Sequence, residues 1–297
     1  MHPTVSALFL LEFSRTAFSM SVAGLVLLVI GALAARNGFA DARGLDKIVA
    51  LANLGFAIPL GVFGAEHISG AAFIQNGVPS YVPWHLFWAY FIGFALIAAA
   101  LSIATKIAVR LSGVLFGIMM LLFVAMIHLP QALANHERTA WVVVFREPSF
   151  AAGAWLLAAT AMEGWGKRLL TAAGRLLIAI TTIFFSAQQF LHPTLAYGVP
   201  LGKAMPAWPG RAAVGYVTAA ILLVAGICIL LARKTRLAAT YLGSWLLLLV
   251  LVVYGPILIT SLLDPSTAVK VEGLNYFADT LLFAGSILSL GGATALD

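Results

Sequence analysis

The stretch FGAEHISG sets Glu66 beside His67 where an apolar run of almost twenty residues closes. A carboxylate next to an imidazole can accept and pass on a proton, because a nearby acid raises the basicity of the ring. Adjacent residues on a helix point about 100° apart, so one of the pair faces an interior cavity while the other caps or pairs nearby. His128 closes the fourth apolar run, His85 opens the third, His136 and His192 lie in connecting segments and His2 precedes the first run. Glu66, His67 and His128 are the candidates for proton handling. His67, His85, His128, Gln188, Gln189, His192 and Tyr254 are side chains of the kinds that hold a ligand. An ionisable group in the middle of a membrane span costs about 2.5–3.5 kcal/mol on insertion scales, which makes each one a functional hypothesis. The plainer reading is a set of interfacial residues hydrogen-bonded to loops.

The elements that position these residues follow from composition. Of 297 residues, 62% are hydrophobic and 9% are charged, and the mean hydropathy is +1.02. Soluble domains carry about 25% charged residues, so the chain is an integral membrane protein. Nearly all 17 Lys and Arg fall between apolar runs, so the net charge of +6 belongs to loops facing lipid headgroups and not to a nucleic-acid surface. Cys228 is the single cysteine, which rules out an intrachain disulfide and a CxxC site. No removable signal peptide is read at the start of the sequence.

A span needs about 20 apolar residues. Nine runs qualify, near 17–35, 48–69, 85–105, 111–130, 149–165, 171–191, 212–232, 237–262 and 275–292. Continuous runs of this length predict an all-α bundle and not a barrel. One set of loops holds eleven Lys and Arg and the opposite set six. The positive-inside bias therefore places the N-terminus outside and the C-terminus in the cytoplasm of a bacterial-type inner (plasma) membrane. All six histidines then fall on the outer side. Trp84, Trp88, Trp141, Trp208, Tyr81 and Tyr197 gather there as an interfacial belt. Asp279 reads as a solvated helix-start acid, with Arg211, Lys203 or an outer histidine as alternative partners, and Glu163 as a partner for Lys167 one turn on.

An internal repeat organises the runs. GVPSYVPWHLFWAY (77–90) has a counterpart in GVPLGKAMPAWPGRAAVGY (198–216). A spacing of 126 residues matches Tyr90 with Tyr216, Arg110 with Arg236, Gly117 with Gly243 and Pro130 with Pro256, and so His128 with Tyr254. VFGAEH aligns with FFSAQQ, which sets Glu66 and His67 against Gln188 and Gln189. The chain divides into a leading segment (1–47) and two four-span units (48–167 and 168–297). Four is even, so the units enter the membrane in the same direction, as parallel repeats.

Each unit resembles the DoxX family of four-span membrane proteins. The resemblance rests on the Pro-containing loops GVPSYVP and GVPLGKAMPAWP, the Gly/Ala-rich helices after them, the basic stretch ARKTR and the Gly-rich, Asp-ending tail LSLGGATALD. It implies a helical bundle linked to thiosulfate:quinone oxidoreduction or to thiol and oxidative-stress systems. It implies no shared set of catalytic residues. With Cys228 alone, dithiol chemistry would belong to a partner.

An apolar cleft with one or two hydrogen-bonding groups suffices for a quinone, and the candidate ligand residues are of suitable types. Haem or a metal would require several of His67, His85, His128 and His192 to converge, and no HExxH or CxxCH spacing supports that. The leading expectation is therefore an outward-facing quinone site in a respiratory or thiol-linked redox system that includes a partner protein and membrane lipid. A scaffold subunit of a membrane complex and a carrier of a small or lipid-like solute are the alternatives.

Overall fold

The computed structural model describes residues 3–294, with side chains from Arg15 onward; His2, the Glu12 side chain and the last three residues lie outside it. The protein is an all-α multi-pass membrane protein. Among the described residues nine helices are long and apolar enough to cross a membrane. They are α1 (Pro3–Asp41), α2 (Asp46–Ser69, with a break at Leu51), α3 (His85–Thr105), α4 (Val109–Asn135), α5 (Arg138–Thr160), α6 (Gly164–Leu191), α7 (Arg211–Leu230), α8 (Thr235–Leu263) and α9 (Thr267–Ala293). The one β feature among them is an isolated bridge between Leu195 and Ala204.

α5 and α9 form the centre. Their apolar stretches are 67% and 78% buried, against 22% for α1, which lies at the periphery against α2. Small residues explain why these two helices are central. SFAAGAW in α5 and LFAGSILSLGGA in α9 let backbones approach closely where no hydrophobic effect drives helices together in lipid. A Cβ added at Gly285 would lie 2.7 Å from the carbonyl carbon of Gly55, so α2 and α9 meet backbone to backbone. A Cβ at Gly153 would lie 2.4 Å from Oγ of Ser286, where α5 crosses α9.

Backbone irregularities recur at the 126-residue spacing. A π-helical turn occupies Val124–His128 in α4 and Val250–Tyr254 in α8. Each precedes a proline, Pro130 or Pro256, whose missing N–H cannot donate to the turn before it. Lys106 and Ala108 have φ of 60° and 56°, and Ala232 and Lys234 repeat this with 53° and 50°. The packing is also paired: α2 lies on α3 as α6 lies on α7, and α4 on α5 as α8 on α9. Between the halves, α5 packs on α6 and α9 packs on α2. The last long helix of each half therefore packs on the helix that opens the other four-helix set, α5 on α6 and α9 on α2.

Several span boundaries differ from the sequence reading, and one difference matters. The sequence reading starts the fifth span at 149, which leaves Arg146, Glu147 and Pro148 before it. The helix begins at Arg138, so Arg146, Glu147 and Pro148 lie inside the bundle. Likewise α9 starts at Thr267 and not near 275. A proline beside two charges reads as a loop in isolation, but here Arg146 pairs with Glu147 beside it and with Asp279 across helices.

Candidate functional site: a carboxylate-rich cleft

On α9, Glu272, Asn275, Tyr276 and Asp279 fall at i, i+3, i+4 and i+7, which puts all four on one helical face. That face forms one wall of a cleft of about 450 Å³ at the end of the bundle that carries Glu66. Glu66 of α2 and Thr139 of α5 complete its polar lining, and Leu201 and Gly202 of the loop between α6 and α7 border it.

Asn275 Nδ2 donates to Glu66 Oε1 at 2.9 Å, while Oδ1 of Asn275 is buried without a partner. One helical turn deeper, Arg146 Nη1 donates to Asp279 Oδ2 at 2.8 Å. Its Nε and Nη2 donate to Glu147 Oε1 at 3.1 and 2.7 Å. Glu147 and Asp279 are each 6% exposed. Two carboxylates, Glu147 and Asp279, thus share one guanidinium, while Glu66 is held by Asn275. Buried charge of one sign is costly unless something neutralises it, and here two buried carboxylates face a single guanidinium. At the rim Lys203 pairs with Glu272, and the Lys203 backbone N–H donates to the Tyr276 hydroxyl at 3.0 Å. Asp279 therefore meets Arg146, a correction to its reading as a solvated helix-start acid with Arg211, Lys203 or a histidine as alternatives.

The adjacent pair of the sequence divides. Glu66 lines the cleft, whereas His67 Nδ1 bonds the Phe63 carbonyl oxygen at 2.8 Å and its Cβ lies 3.0 Å from where a Cβ on Gly93 would stand. His67 thus faces α3. His128 ends the π-turn of α4 within electrostatic reach of Arg146 and Glu147. It stands behind the cluster, outside the cleft lining.

The remaining candidates are placed elsewhere. His85 opens α3, half-buried, and His192 is exposed beyond the end of α6. Gln188 is half-buried with an unpartnered Oε1. Gln189 is fully buried and holds the loop after α6. Its Oε1 accepts from the Gly198 N–H at 3.2 Å, and its Nε2 donates to the His192 and Leu195 carbonyl oxygens at 3.4 Å. Tyr254 donates to the Tyr197 carbonyl oxygen at 2.9 Å, and Tyr197 in turn donates to the Arg211 carbonyl oxygen at 2.6 Å. Burial pushes the Tyr197 phenol up from its ordinary pKa, against the opposing effect of the Arg211 charge. Arg138 ties the same loop down through the Pro200 and Leu201 carbonyl oxygens at 2.7 and 3.1 Å. Gln189 and Tyr254 are thus loop staples. Among the described residues no three His, Cys, Asp or Glu side chains are grouped as a metal ion requires.

Sequence reasoning missed Arg146, Glu147 and Asn275. The helical spacing of Glu272, Asn275, Tyr276 and Asp279 was a usable signal, hidden by starting the last span at residue 275. No protein-family model, no curated protein and no solved structure matches the chain.

Proposed function

We propose that the protein binds a small ligand with an apolar body and a hydrogen-donating head, of the quinol type, in the Glu66 cleft, and that Glu66 accepts the proton the head gives up. The observation that carries this reading is the cleft itself, with apolar walls and a floor of acceptors: Glu66, Asp279 and the unpartnered Oδ1 of Asn275. A quinone needs donors for its carbonyl oxygens. A quinol offers two hydroxyls, and the floor suits that form. Oxidation of a quinol releases two electrons and two protons; the cleft residues hold the head, and Glu66 takes the protons one after the other, passing the first to the water outside before it takes the second. The electrons go to a redox partner, in the respiratory or thiol-linked setting that the DoxX-like resemblance implies. With eleven basic residues on the opposite side against six, the cleft opens outward from an inner membrane, the N-terminus lies outside, the C-terminus is cytoplasmic, and protons leave to the outside.

The test is photolabelling of the detergent-purified protein with a photoreactive short-chain quinol. Labelled peptides should come from α2 and α9, and Glu66→Gln should abolish labelling while leaving the folded fraction unchanged. Unchanged labelling of E66Q, or none in the wild type, refutes the reading and leaves an accessory subunit of a membrane complex. The same acceptor floor favours one second reading, a carrier of a small amine-like solute. That reading requires flux into liposomes with no redox partner present.

A further inference from the structure

The second half of the chain carries a different concavity. Between α7, α8 and the loop before them lies a groove of about 410 Å³ lined only by apolar and aromatic residues, among them Trp208, Val214, Trp245, Leu248 and Val252. At the 126-residue spacing, Val214 corresponds to Trp88 and Ala207 to Tyr81. In the first half, Trp88 packs edge-on against Phe87 and Phe91 and donates to the Pro83 carbonyl oxygen at 3.0 Å. Tyr81 donates to the carbonyl oxygen of Met126 in the π-turn at 3.1 Å. The first half thus carries two large aromatic side chains at these positions. The second half carries valine and alanine there, and Val214 lines the groove.

The groove's position indicates what fills it. Leu248 and Val252 are 49% and 63% exposed on a membrane-crossing helix, so the groove opens sideways to lipid and not to water. Arg211, the first residue of α7, stands one helical turn before Val214 of the groove wall. Its Nη1 donates to the Met205 carbonyl oxygen at 3.1 Å, next to Pro206 of the groove wall. Among the described residues Arg211 enters none of the four ion pairs. A cation at a helix end near the membrane surface, above an apolar slot flanked by two indoles, matches one ligand: a phosphate group with acyl chains below it.

We propose that this groove is a specific site for one anionic phospholipid of the leaflet at the Glu66 end. An acyl chain lies against Trp208, Val214 and Trp245, and the phosphate meets the Arg211 guanidinium. This site is independent of the Glu66 cleft and of any ligand there.

The test uses the full chain in detergent micelles, with lipid retention read by native mass spectrometry for phosphatidylglycerol and phosphatidylcholine. The wild type should retain a single phosphatidylglycerol on the order of tenfold more than phosphatidylcholine. Arg211→Gln should remove the preference, and Val214→Phe, which restores an aromatic ring as in the first half, should remove retention. A phosphatidylglycerol with brominated acyl chains should quench wild-type tryptophan emission and should quench Trp245→Phe less. Equal retention of both lipids, or full retention by V214F, overturns the proposal. Circular dichroism and thermal unfolding show whether R211Q and V214F fold as the wild type does; if V214F fails to fold, the R211Q preference and the W245F quenching still decide.

Discussion

Arg146 offers the sharpest test of the buried cluster. Its guanidinium makes three charge-assisted hydrogen bonds, two to Glu147 and one to Asp279. Each such bond contributes about 1.5–3 kcal/mol when counted alone, so a naive sum for Arg146→Gln is about 4.5–9 kcal/mol. The sum overshoots, because the carboxylates left behind can take up protons. Breaking a buried ion pair by removing one partner costs about 3–5 kcal/mol. R146Q should therefore lower the folded-to-unfolded ratio by about two to three and a half decades. Unfolding in mixed micelles with increasing SDS, followed by circular dichroism, measures that ratio. The double variant R146Q/D279N should recover at least about 1.5 kcal/mol relative to the sum of the single effects, because amides can pair where the charges did. If R146Q costs under about 1 kcal/mol, or if the two substitutions simply add, the cluster is not the coupled unit the geometry describes.

Four further outcomes follow from particular contacts. Gly285→Ala places a Cβ 2.7 Å from the Gly55 carbonyl carbon and should destabilise by about 1–3 kcal/mol through overpacking, read by thermal unfolding; an unchanged midpoint would show that α2 and α9 can part freely. Gln189→Leu leaves the buried Gly198 N–H without its acceptor and should cost about 1–3 kcal/mol, with the loop before α7 becoming the first site of limited proteolysis. Glu66→Gln keeps an acceptor for Asn275 and should change stability by under about 1 kcal/mol while removing ligand labelling. His67→Ala should leave labelling intact, since the ring bonds its own helix and lies towards α3; a loss would return His67 to the site.

The sequence made the architecture legible because lipid imposes one rule on every span. Twenty apolar residues in a row can satisfy their backbone only as a helix, and nine such runs stand out without any tertiary information. The ends were less legible, and the error at α5 shows why. Arg146 and Glu147 pair with one another, and Arg146 also meets Asp279, 133 residues away. Hydropathy is a local property and cannot register that compensation. Glu66 was legible as an ionisable residue at the end of a run, but its direction was not. Which of two neighbours turns inward depends on the rotation of α2, and Gly55 sets that rotation by fitting against Gly285. Gln189 and Tyr254 drew attention as polar groups near the membrane surface, and their partners are loop carbonyls fixed by a turn that no short pattern announces.

The two halves of the chain provide a control for the site. Arg146 meets Asp279 and Gly153 meets Ser286, each pair 133 residues apart, so the centre of the bundle lies where α5 and α9 exchange equivalent positions. At that spacing Glu147 corresponds to Thr280, and the earlier alignments set Glu66 against Gln188 and His128 against Tyr254. The second half packs corresponding helices with an amide, a hydroxyl and a phenol. Ionised groups at these positions are therefore not needed to build the fold. The triple variant E66Q/E147T/H128Y copies the neutral residues of the second half into these three positions and leaves Arg146 facing Asp279 alone, a balanced pair. Replacing buried charges with neutral groups of similar shape is often neutral or stabilising by about 1–4 kcal/mol. The variant should fold with a thermal midpoint no lower than that of the wild type and should fail to bind the quinol probe. Loss of the fold would assign the three residues to structure. A stable protein that still binds would move the site out of the Glu66 cleft. A stable protein that no longer binds would mean that the charges of the first half are maintained for the ligand.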